Sequence, residues 1–303
     1  NGLAIGSLAR AGIVLGDDEC VALAADAVSF VREHLWDSDA ARLARRYKDG
    51  DVQASGYLDD YAFLARGAFE SYGATGDVEY LAFAVELAEV IVDQFYDPDA
   101  RTLYLTPADG ETLVTRHQEL QDQSTPSSAG VAASLLLDLD AFAPESSFGA
   151  VAGAVVDTHA DRIRGRPLEH VSLALAAHKR AHGSTEVVVT TGGADAAAVG
   201  LPESIRASLA STYLPGAVLA PRPPTGAGLE SWLESLGLDD VPSIWRGRDE
   251  RDGEPTVYVC EDRACSPPSH SLPAALSWFT DEADGNGDGG TDLDAGDLPL
   301  DRD

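Results

Sequence analysis

Two adjacent carboxylates, Asp59 and Asp60, are the residues of this sequence best placed to do chemistry. They follow Gly56-Tyr57-Leu58 at the predicted start of a helix, where free N–H groups and the helix dipole stabilise an anion and tend to lower its pKa. Neighbours on a helix point about 100° apart, so at most one of the two faces a ligand. A helix cap explains one of them equally well, and the other is a candidate acid or base.

Glycoside hydrolysis needs a second carboxylate on the far side of the bound sugar. The two groups lie about 5 to 9 Å apart, one acting as acid and the other as base or nucleophile. Glu119 and Asp122, in the segment that leads into the next predicted helix, are suited to this role. Asp59, Asp60, Glu119 and Asp122 are therefore predicted catalytic residues.

His117 suggests a different reaction. An imidazole that titrates near neutrality removes a proton beside a carbonyl, as an epimerase requires. Arg116 precedes it and would hold a carboxylate or ring hydroxyls of the substrate. A solvated loop histidine explains His117 without any function. His178 and His182 have i, i+4 spacing but no evident third ligand, so neither a metal nor another cofactor is predicted.

Three aromatic residues near predicted helix ends are candidates for stacking on a sugar ring. They are Trp36, Tyr57 and Tyr61. Large aromatic side chains at helix ends are also typical of a hydrophobic core, so both interpretations stay open.

Cys260 and Cys265 are the candidate redox residues. Four residues separate them at the end of a predicted strand, whereas thiol exchange usually needs C-x-x-C at a helix N-terminus. Glu261 and Asp262 would raise the pKa of the thiols. A local disulfide or two packed thiols is therefore favoured over redox catalysis.

The elements that position these residues follow from an internal repeat of about 60 residues. Segment 16–40 matches segment 76–100. Each copy has a Gly that ends one helix and an Asp that caps the next. In the second copy, apolar residues recur at i, i+3 and i+4, which places them on one helical stripe. Each copy is thus predicted to be an αα-hairpin.

Further helices extend this pattern into an array. Besides the two capped helices, helices are predicted over about 2–15, 58–74, 125–142, 146–163 and 168–182. Seven helices in antiparallel pairs predict a mainly α fold, a partial (α/α)6 toroid over residues 1–182. Short extended pieces at 102–105 and 112–114 would overhang the mouth of its cavity.

A small α/β unit is predicted over residues 183–280. Apolar strands at 186–191, 217–220 and 256–260 flank a short helix at 203–211. Gly192-Gly193 lacks a full phosphate-loop pattern and is interpreted as a turn. Residues 281–303 form an acidic tail predicted to be disordered. Asp284, Asn286 and Asp288 match half of a calcium loop, but Ala295 stands where a closing acid is required.

The charge of the chain limits its partners. With 51 acidic and 21 basic residues, the net charge of −30 argues against nucleic acid and anionic membranes as partners. Only Lys48 and Lys179 are lysines, a balance typical of halophilic proteins, since molar salt screens closely spaced carboxylates. No long apolar stretch or secretory signal is found, and the three cysteines form no disulfide framework, so we expect a cytoplasmic protein.

Three strings of residues resemble the YyaL family of thioredoxin-domain proteins, which includes the spermatogenesis-associated member of mammals. The resemblance covers nearly all of residues 1–280. The strings are Gly56-Tyr57-Leu58-Asp59-Asp60-Tyr61-Ala62-Phe63, Asp122-Gln123-Ser124-Thr125-Pro126-Ser127, and Tyr258-Val259-Cys260 with Cys265 and Pro267-Pro268.

The resemblance implies a toroid related to N-acylglucosamine 2-epimerases and six-hairpin glycosidases, with a sugar-acting site. Asn1-Gly2-Leu3 is similar to the family's W-N-G-L motif without its Trp, which implies a thioredoxin-like domain and further helices ahead of this segment. The sequence Pro126-Ser127-Ser128-Ala129-Gly130 departs from the family's P-S-G-N-S. The amide of the Asn is lost at Ala129.

Two functions are consistent with these observations. The first is an isomerase or hydrolase acting on a sugar or small polar metabolite. The second is a noncatalytic helical platform that serves a thioredoxin-like domain. An incomplete ring would leave apolar edges exposed, so self-association is also expected.

Overall fold

The structure is a computed structural model that describes residues 1–111, 114–190, 200–261 and 264–285. Helices make up about half of it, with eleven α-helices in the described ranges. The prediction of a mainly α fold is confirmed. The helices that precede the α/β unit are α1 Gly2–Leu15, α2 Asp18–His34, α3 Leu58–Thr75, α4 Val78–Val90, α5 Ser128–Leu139, α6 Phe148–Thr158, α7 Ala160–Gly165 and α8 Val171–His182.

The predicted helix boundaries differ from the structure in three places. Helix α5 begins at Ser128, because the Ser127 hydroxyl accepts a hydrogen bond from the Gly130 amide at 3.1 Å and caps it. The predicted helix over 146–163 is interrupted at His159, between α6 and α7. Residues Pro167–Glu169 form a 3₁₀ turn, so the last helix of the array starts at Val171.

The helices pack in two rows. Helices α1, α3, α5 and α8 lie side by side in that order and form the front row, while α2, α4 and α6 pack behind them as the back row. Gly67 of α3 permits close contact with α1, since a Cβ there would meet the Gly2 carbonyl at 2.8 Å. Helix α3 is the centre of the array and is buried along most of its length.

Two short antiparallel sheets follow the first two hairpins. Strands β1 Trp36–Asp37, β2 Arg42–Lys48 and β3 Asp51–Ser55 form one, and β4 Tyr96–Asp97 with β5 Thr102–Leu103 forms the other. A π-helical turn at Ile91–Phe95 joins α4 to β4. In the extended piece predicted at 112–114, residues 112 and 113 lie outside the described residues.

The α/β unit has a four-stranded sheet with the order β7-β6-β8-β9, in which only β6 and β7 are parallel within the described ranges. Its predicted strands and helix are present. Helices α10 and α11 were not predicted, and α11 enters the segment expected to be disordered from residue 281. The elements are β6 Glu186–Thr190, α9 Glu203–Ser211, β7 Val218–Arg222, α10 Gly226–Leu236, β8 Thr256–Glu261, β9 Ala264–Cys265 and α11 Leu272–Gly285.

Some predicted features lie outside the described residues. These are the turn at Gly192-Gly193 and most of the calcium-loop match, including Asn286, Asp288 and Ala295. No helix in the described part of the chain has the length and apolarity needed to cross a bilayer.

The α/β unit packs on the C-terminal end of α3. The Tyr72 hydroxyl donates to the Pro221 carbonyl at 2.6 Å, and a Cβ on Gly73 would lie 3.2 Å from the Leu219 side chain. The α/β unit therefore lies at the opposite end of α3 from Asp59 and Asp60.

Candidate functional site

Arg45 of β2 holds both carboxylates at the start of α3. Its guanidinium lies 3.2 Å from Asp59 Oδ2 and 3.2 Å from Asp60 Oδ2, and it stacks over the Tyr57 ring at 4.9 Å. Asp60 also accepts a hydrogen bond from the Tyr57 amide at 2.9 Å, so it caps the helix. No sequence signal places Arg45 in this cluster.

Burial raises the pKa of Asp60, and the nearby Asp59 adds to that effect. The Tyr57 amide and Arg45 act in the other direction without outweighing burial. The expectation that the helix start lowers the pKa was wrong for Asp60, because desolvation dominates. Asp59 keeps one buried oxygen, Oδ1, without a hydrogen-bond partner in the described residues.

The three aromatic candidates differ in exposure. Tyr61 is 2% exposed, and its hydroxyl accepts a hydrogen bond from the Leu43 amide at 2.8 Å. The Trp36 ring packs edge-on against Phe83. Tyr57 is 40% exposed and, with Tyr61 and Arg42, borders a cleft of about 440 Å³. Tyr57 is therefore the most accessible of the three for a ligand.

Arg116 and His117 lie in a segment beside the start of α3. The Leu58 amide donates to the Leu105 carbonyl at 2.9 Å, and the Leu105 amide donates to the His117 carbonyl at 2.8 Å. The Arg116 guanidinium stacks on the Tyr104 ring and donates to the Thr106 carbonyl. Arg116 thus fixes its own loop, while the His117 side chain is exposed.

Asp122 links the starts of two front-row helices. It accepts hydrogen bonds from the Ser127 amide at 3.1 Å and from the Ser172 amide at 3.0 Å, and the Ser172 hydroxyl also donates to it. Both oxygens are therefore engaged at helix ends. Glu119 is half-buried, and its Oε2 has no hydrogen-bond partner in the part of the chain that the structure describes.

The structure thus separates the predicted catalytic residues by what their side chains contact. Asp60 and Asp122 bind backbone amides and position helix starts, and His117 faces solvent. Asp59 and Glu119 each keep a buried carboxylate oxygen with no partner in the described residues. These two carboxylates are the members of the set most available for chemistry.

A second, unpredicted feature lies along the front row. A cavity of about 650 Å³ is lined by polar side chains from all four helices: Arg10 of α1, Arg66 of α3, Ser134 of α5, and His178, Lys179 and His182 of α8. Residues 183–185, 215–216 and Glu261 close it from the side of the α/β unit. We call it the front-row cavity.

Five charged residues form a network at the front-row cavity. Arg10, Arg66 and Lys179 border the cavity, and two carboxylates lie behind them. Asp138, with a side chain 1% exposed, lies 2.6 Å from Lys179 Nζ and 2.6 Å from Arg66 Nη1. Glu70 lies 3.0 Å from Arg66 Nε and 3.3 Å from Arg10 Nε. Arg10, Arg66, Glu70, Asp138 and Lys179 are called the ion network below.

Burial lowers the pKa of Lys179, and repulsion from Arg66 adds to this effect; Asp138 opposes both without reversing them. Burial also opposes the charge on Arg66, but Glu70 and Asp138 outweigh it and raise its pKa. Desolvation makes such a network a weak source of stability. Perturbed ionisable groups that border a cavity are instead characteristic of functional sites.

The sequence contains only indirect signals for the ion network. Lys179 is one of two lysines in 303 residues, and Arg66 and Glu70 have the i, i+4 spacing of an ordinary helix ion pair. The other pairing partners are 41 to 72 residues apart, as in Lys179–Asp138 and Arg66–Asp138. Only the tertiary structure brings them together.

Cys260 and Cys265 face each other across β8 and β9 and form a disulfide. Arg248 Nη2 lies 2.8 Å from Cys265 Sγ and 3.6 Å from Cys260 Sγ. No sequence signal marks Arg248 as a neighbour of the two cysteines. Glu261 accepts a hydrogen bond from the Thr185 hydroxyl. Asp262 lies outside the described residues.

His178 and His182 are neighbours on α8, with ring centroids 4.6 Å apart. Among the described residues, no three His, Cys, Asp or Glu side chains converge as a metal site would require.

The structure is a two-row array of helical hairpins with an attached α/β unit and a cavity, bordered by charged side chains, along its front row. No protein-family model matches this chain. The chain is 28% identical over 279 residues to spermatogenesis-associated protein 20 of Homo sapiens. The alignment covers 88% of this chain and 34% of the human protein.

Other relatives agree with this match. The Mus musculus protein of the same name has the same identity and coverage. An uncharacterised protein of Caenorhabditis elegans is 25% identical over 194 residues, covering 62% of this chain and 26% of that protein. These similarities support a relationship to the spermatogenesis-associated protein 20 family. The chain spans about a third of the length of its mammalian relatives.

Proposed function

We propose that the front-row cavity binds a sugar or another small polar metabolite, and that the chain is part of an isomerase- or hydrolase-type enzyme acting on it. The observation that carries the proposal is the convergence of Arg10, Arg66, Ser134 and Lys179, one from each front-row helix, on one cavity. Its volume of about 650 Å³ is in the range of small-molecule sites. The lining combines these polar side chains with apolar surface such as Leu175 and Pro215, which suits a ligand that has both hydroxyl groups and an apolar ring face.

The arrangement of the helices is consistent with a larger toroid. Four front-row helices lie in sequence order, each hairpin placing its second helix behind. We propose that this array is a portion of an (α/α)6 toroid whose central face is the front row. Family resemblance and the two-row order support this proposal.

Neither Asp59 nor Glu119 lines the front-row cavity, so we propose them as acid and base of a separate ligand position at the N-terminal ends of the front-row helices. Each lies near the N-terminal end of a front-row helix and keeps an unpartnered buried oxygen within the described residues. A carboxylate without a fixed donor can exchange a proton with a substrate hydroxyl at little cost in lost hydrogen bonds. Lys179, whose pKa burial lowers, is a further candidate for proton transfer.

Thermal unfolding in the presence of ligands tests the binding proposal. A ligand at 100 times its dissociation constant stabilises the folded state by about 2.7 kcal/mol, so a binding sugar raises the melting temperature. We expect at least one member of a panel of monosaccharides and uronic acids to do so. Ser134→Leu places a branched side chain at the cavity and should abolish the shift.

The matched control is Ser29→Leu on the exposed surface of α2, where the same exchange leaves the cavity intact. It should retain the full ligand-induced shift. Equal shifts in both variants, or none in the wild-type chain across the panel, would contradict the proposal.

A specific observation favours the second function, a platform for a protein domain. Leu168, Val171 and Leu175 expose 88%, 42% and 61% of their surface at the α8 edge of the array. Exposed apolar patches mark association surfaces. A thioredoxin-like domain or a second copy of the chain is the proposed occupant, and sedimentation with and without that domain distinguishes them.

A further inference from the structure

The acidic and basic members of the ion network differ in how fully they are engaged. Every oxygen of Glu70 and Asp138 accepts at least one hydrogen bond or ion pair from Arg10, Arg66 or Lys179. Lys179 has three acceptors, two on Asp138 and one on Ser134. The carboxylates therefore have little capacity left for a ligand.

The guanidinium groups retain unused donors. Arg66 is engaged through Nε and Nη1, and Arg10 through Nε and Nη2. The remaining nitrogens, Arg66 Nη2 and Arg10 Nη1, have no hydrogen-bond or ion-pair partner in the described part of the chain. Both side chains border the front-row cavity and are 25% and 47% exposed. A ligand in the cavity would therefore meet donors.

The charges around the front-row cavity are balanced, unlike those of the chain as a whole. Three cations face two carboxylates, in a chain whose overall charge is −30. The other ionisable groups at the border are His178, His182 and Glu261, and Glu261 accepts a hydrogen bond from Thr185 at 2.9 Å. With Glu261, three cations face three carboxylates at the cavity, so its walls are far less acidic than the protein as a whole, and the unused guanidinium donors favour an anionic ligand.

We propose that Arg10 and Arg66 bind the oxyanion of a small acidic metabolite, a carboxylate or a phosphate, in the front-row cavity. Guanidinium groups present paired N–H donors whose planar geometry matches both oxyanions. The inference rests on the proposed function in one respect, namely that the cavity holds a small molecule. It deepens that function by assigning the ligand a negative charge, as in a uronic acid or a sugar phosphate.

The state of Lys179 is consistent with this assignment. Burial and the positive field of Arg66 lower its pKa, and Asp138 does not fully compensate them. An oxyanion beside Arg66 would supply the missing negative charge and move the pKa of Lys179 back upwards.

Isothermal titration calorimetry with matched ligands tests the proposal on the whole 303-residue chain. The ligands are glucose, glucuronate and glucose 6-phosphate at constant ionic strength, with lactate and inorganic phosphate as anions that lack a sugar ring. We expect at least one of the two acidic sugars to bind about tenfold or more tightly than glucose, because charge-assisted hydrogen bonds are roughly twice as strong as neutral ones.

Arg10→Gln removes one charged donor and should weaken the acidic ligand about tenfold while leaving glucose nearly unchanged. The matched control is Arg32→Gln, which also loses exposed ion pairs, to Glu79 and Glu86 of the back row. It should change the affinity less than about twofold. Arg10→Lys keeps the positive charge but lacks the paired N–H donors of the guanidinium group, so it should give an intermediate affinity. This variant tests the proposal even if Arg10→Gln does not fold.

The outcomes separate the two claims. Equal binding of glucose and the acidic sugars, unaffected by Arg10→Gln and Arg10→Lys, overturns the oxyanion inference and leaves the proposed function standing. Binding of lactate or phosphate that requires Arg10, without any contribution from the sugar ring, supports the oxyanion site and contradicts a sugar ligand. No binding of any of the five ligands rejects both.

Discussion

The two copies of the 60-residue repeat have the same local structure in different surroundings. In the hairpins α1–α2 and α3–α4, Gly16 and Gly76 end the first helix with φ of 66° and 70°. Asp17 and Asp77 then cap the second helix. After the second helix, Asp37 and Asp97 each accept two backbone hydrogen bonds that close the same turn.

The copies differ in burial. Phe83 of α4 is fully buried, whereas Phe30 of α2 is 45% exposed. Helix α4 packs against α3, α5 and α10, whereas the main helix contacts of α2 in the described residues are with α1 and α3. The comparison teaches that short-range signals determine the hairpin, while its place in the array determines what it contributes to the core.

The connections that follow the two copies carry different residues of the candidate site. The first connection forms the β2–β3 hairpin, whose Arg45 holds Asp59 and Asp60. The second is longer and carries Arg116, Glu119 and Asp122 to the starts of α3 and α5. The proposed acid and base therefore depend on connections in which the repeat has diverged.

The largest expected difference concerns the core of the two copies. Phe83→Ala should lower the free energy of unfolding by about 3–5 kcal/mol, because a fully buried ring leaves a cavity. Phe30→Ala removes the same atoms from a half-exposed site and should cost less than about 1 kcal/mol. Urea unfolding of both variants measures the difference. Equal losses would show that the first copy is as buried as the second.

Acidification should affect the second copy specifically. His159 Nε2 lies 2.7 Å from Thr102 Oγ1 of β5, and burial, with Arg162 and His170, lowers the pKa of His159. Between that lowered value and about 6.5, the unfolded chain binds more protons, so stability falls as the pH decreases. This contribution is at most about 1.4 kcal/mol per pH unit.

His159→Gln should flatten this part of the pH dependence, measured by urea unfolding between pH 5 and 7. At the 60-residue offset of the repeat, the position equivalent to Thr102 is Arg42, which forms an ion pair with Asp109 and has no hydrogen bond to a histidine among the described residues. An Arg42→Gln variant therefore serves as the control and should keep the wild-type slope. An unchanged slope in His159→Gln would reject this account.

Removing the helix caps should affect both copies alike. Asp17→Ala and Asp77→Ala each lose one carboxylate that accepts from the amide two residues later, at 2.9 and 3.0 Å. Each should lower the free energy of unfolding by about 1 kcal/mol. Asp26→Ala, on the exposed face of α2, should have a negligible effect. A loss at Asp77 several times that at Asp17 would show that caps depend on position in the array.

The smallest expected effect is on self-association through the α8 edge of the array. We expect the chain to associate through exposed apolar residues, and Leu168→Gln to weaken association about three- to tenfold in analytical ultracentrifugation. Leu168 is 88% exposed, so the change should not alter folding. A compact monomer at every protein concentration would contradict the expectation.

The sequence predicts those features that depend on neighbouring residues. Caps at Asp17 and Asp77 and the apolar spacing of α4 were sufficient to place the hairpins. The β2–β3 hairpin was missed because β3 is exposed throughout and lacks an apolar face. Helix α10 was missed because Gly226 and Gly228 occupy its first turn, where glycine is typical of loops.

The site could be predicted only in part. The string at Asp59-Asp60 located the start of α3, but nothing local indicated that Arg45 would neutralise both carboxylates. The ion network joins residues far apart in the chain, such as Arg10 and Glu70. Charged residues of this kind are usually solvated, so their sequence pattern does not reveal a cavity.

NMR of the two lysines tests the central claim most directly. When lysine alone is labelled with ¹³C, only Lys48 and Lys179 contribute ¹³Cε signals. The variant Lys48→Arg removes one of the two signals and so assigns both. The account predicts that Lys179 titrates below the ordinary lysine pKa of about 10.4, and that an acidic sugar shifts the Lys179 signal but not that of exposed Lys48. Titration of Lys179 in the ordinary range, together with a signal insensitive to every sugar, would contradict it.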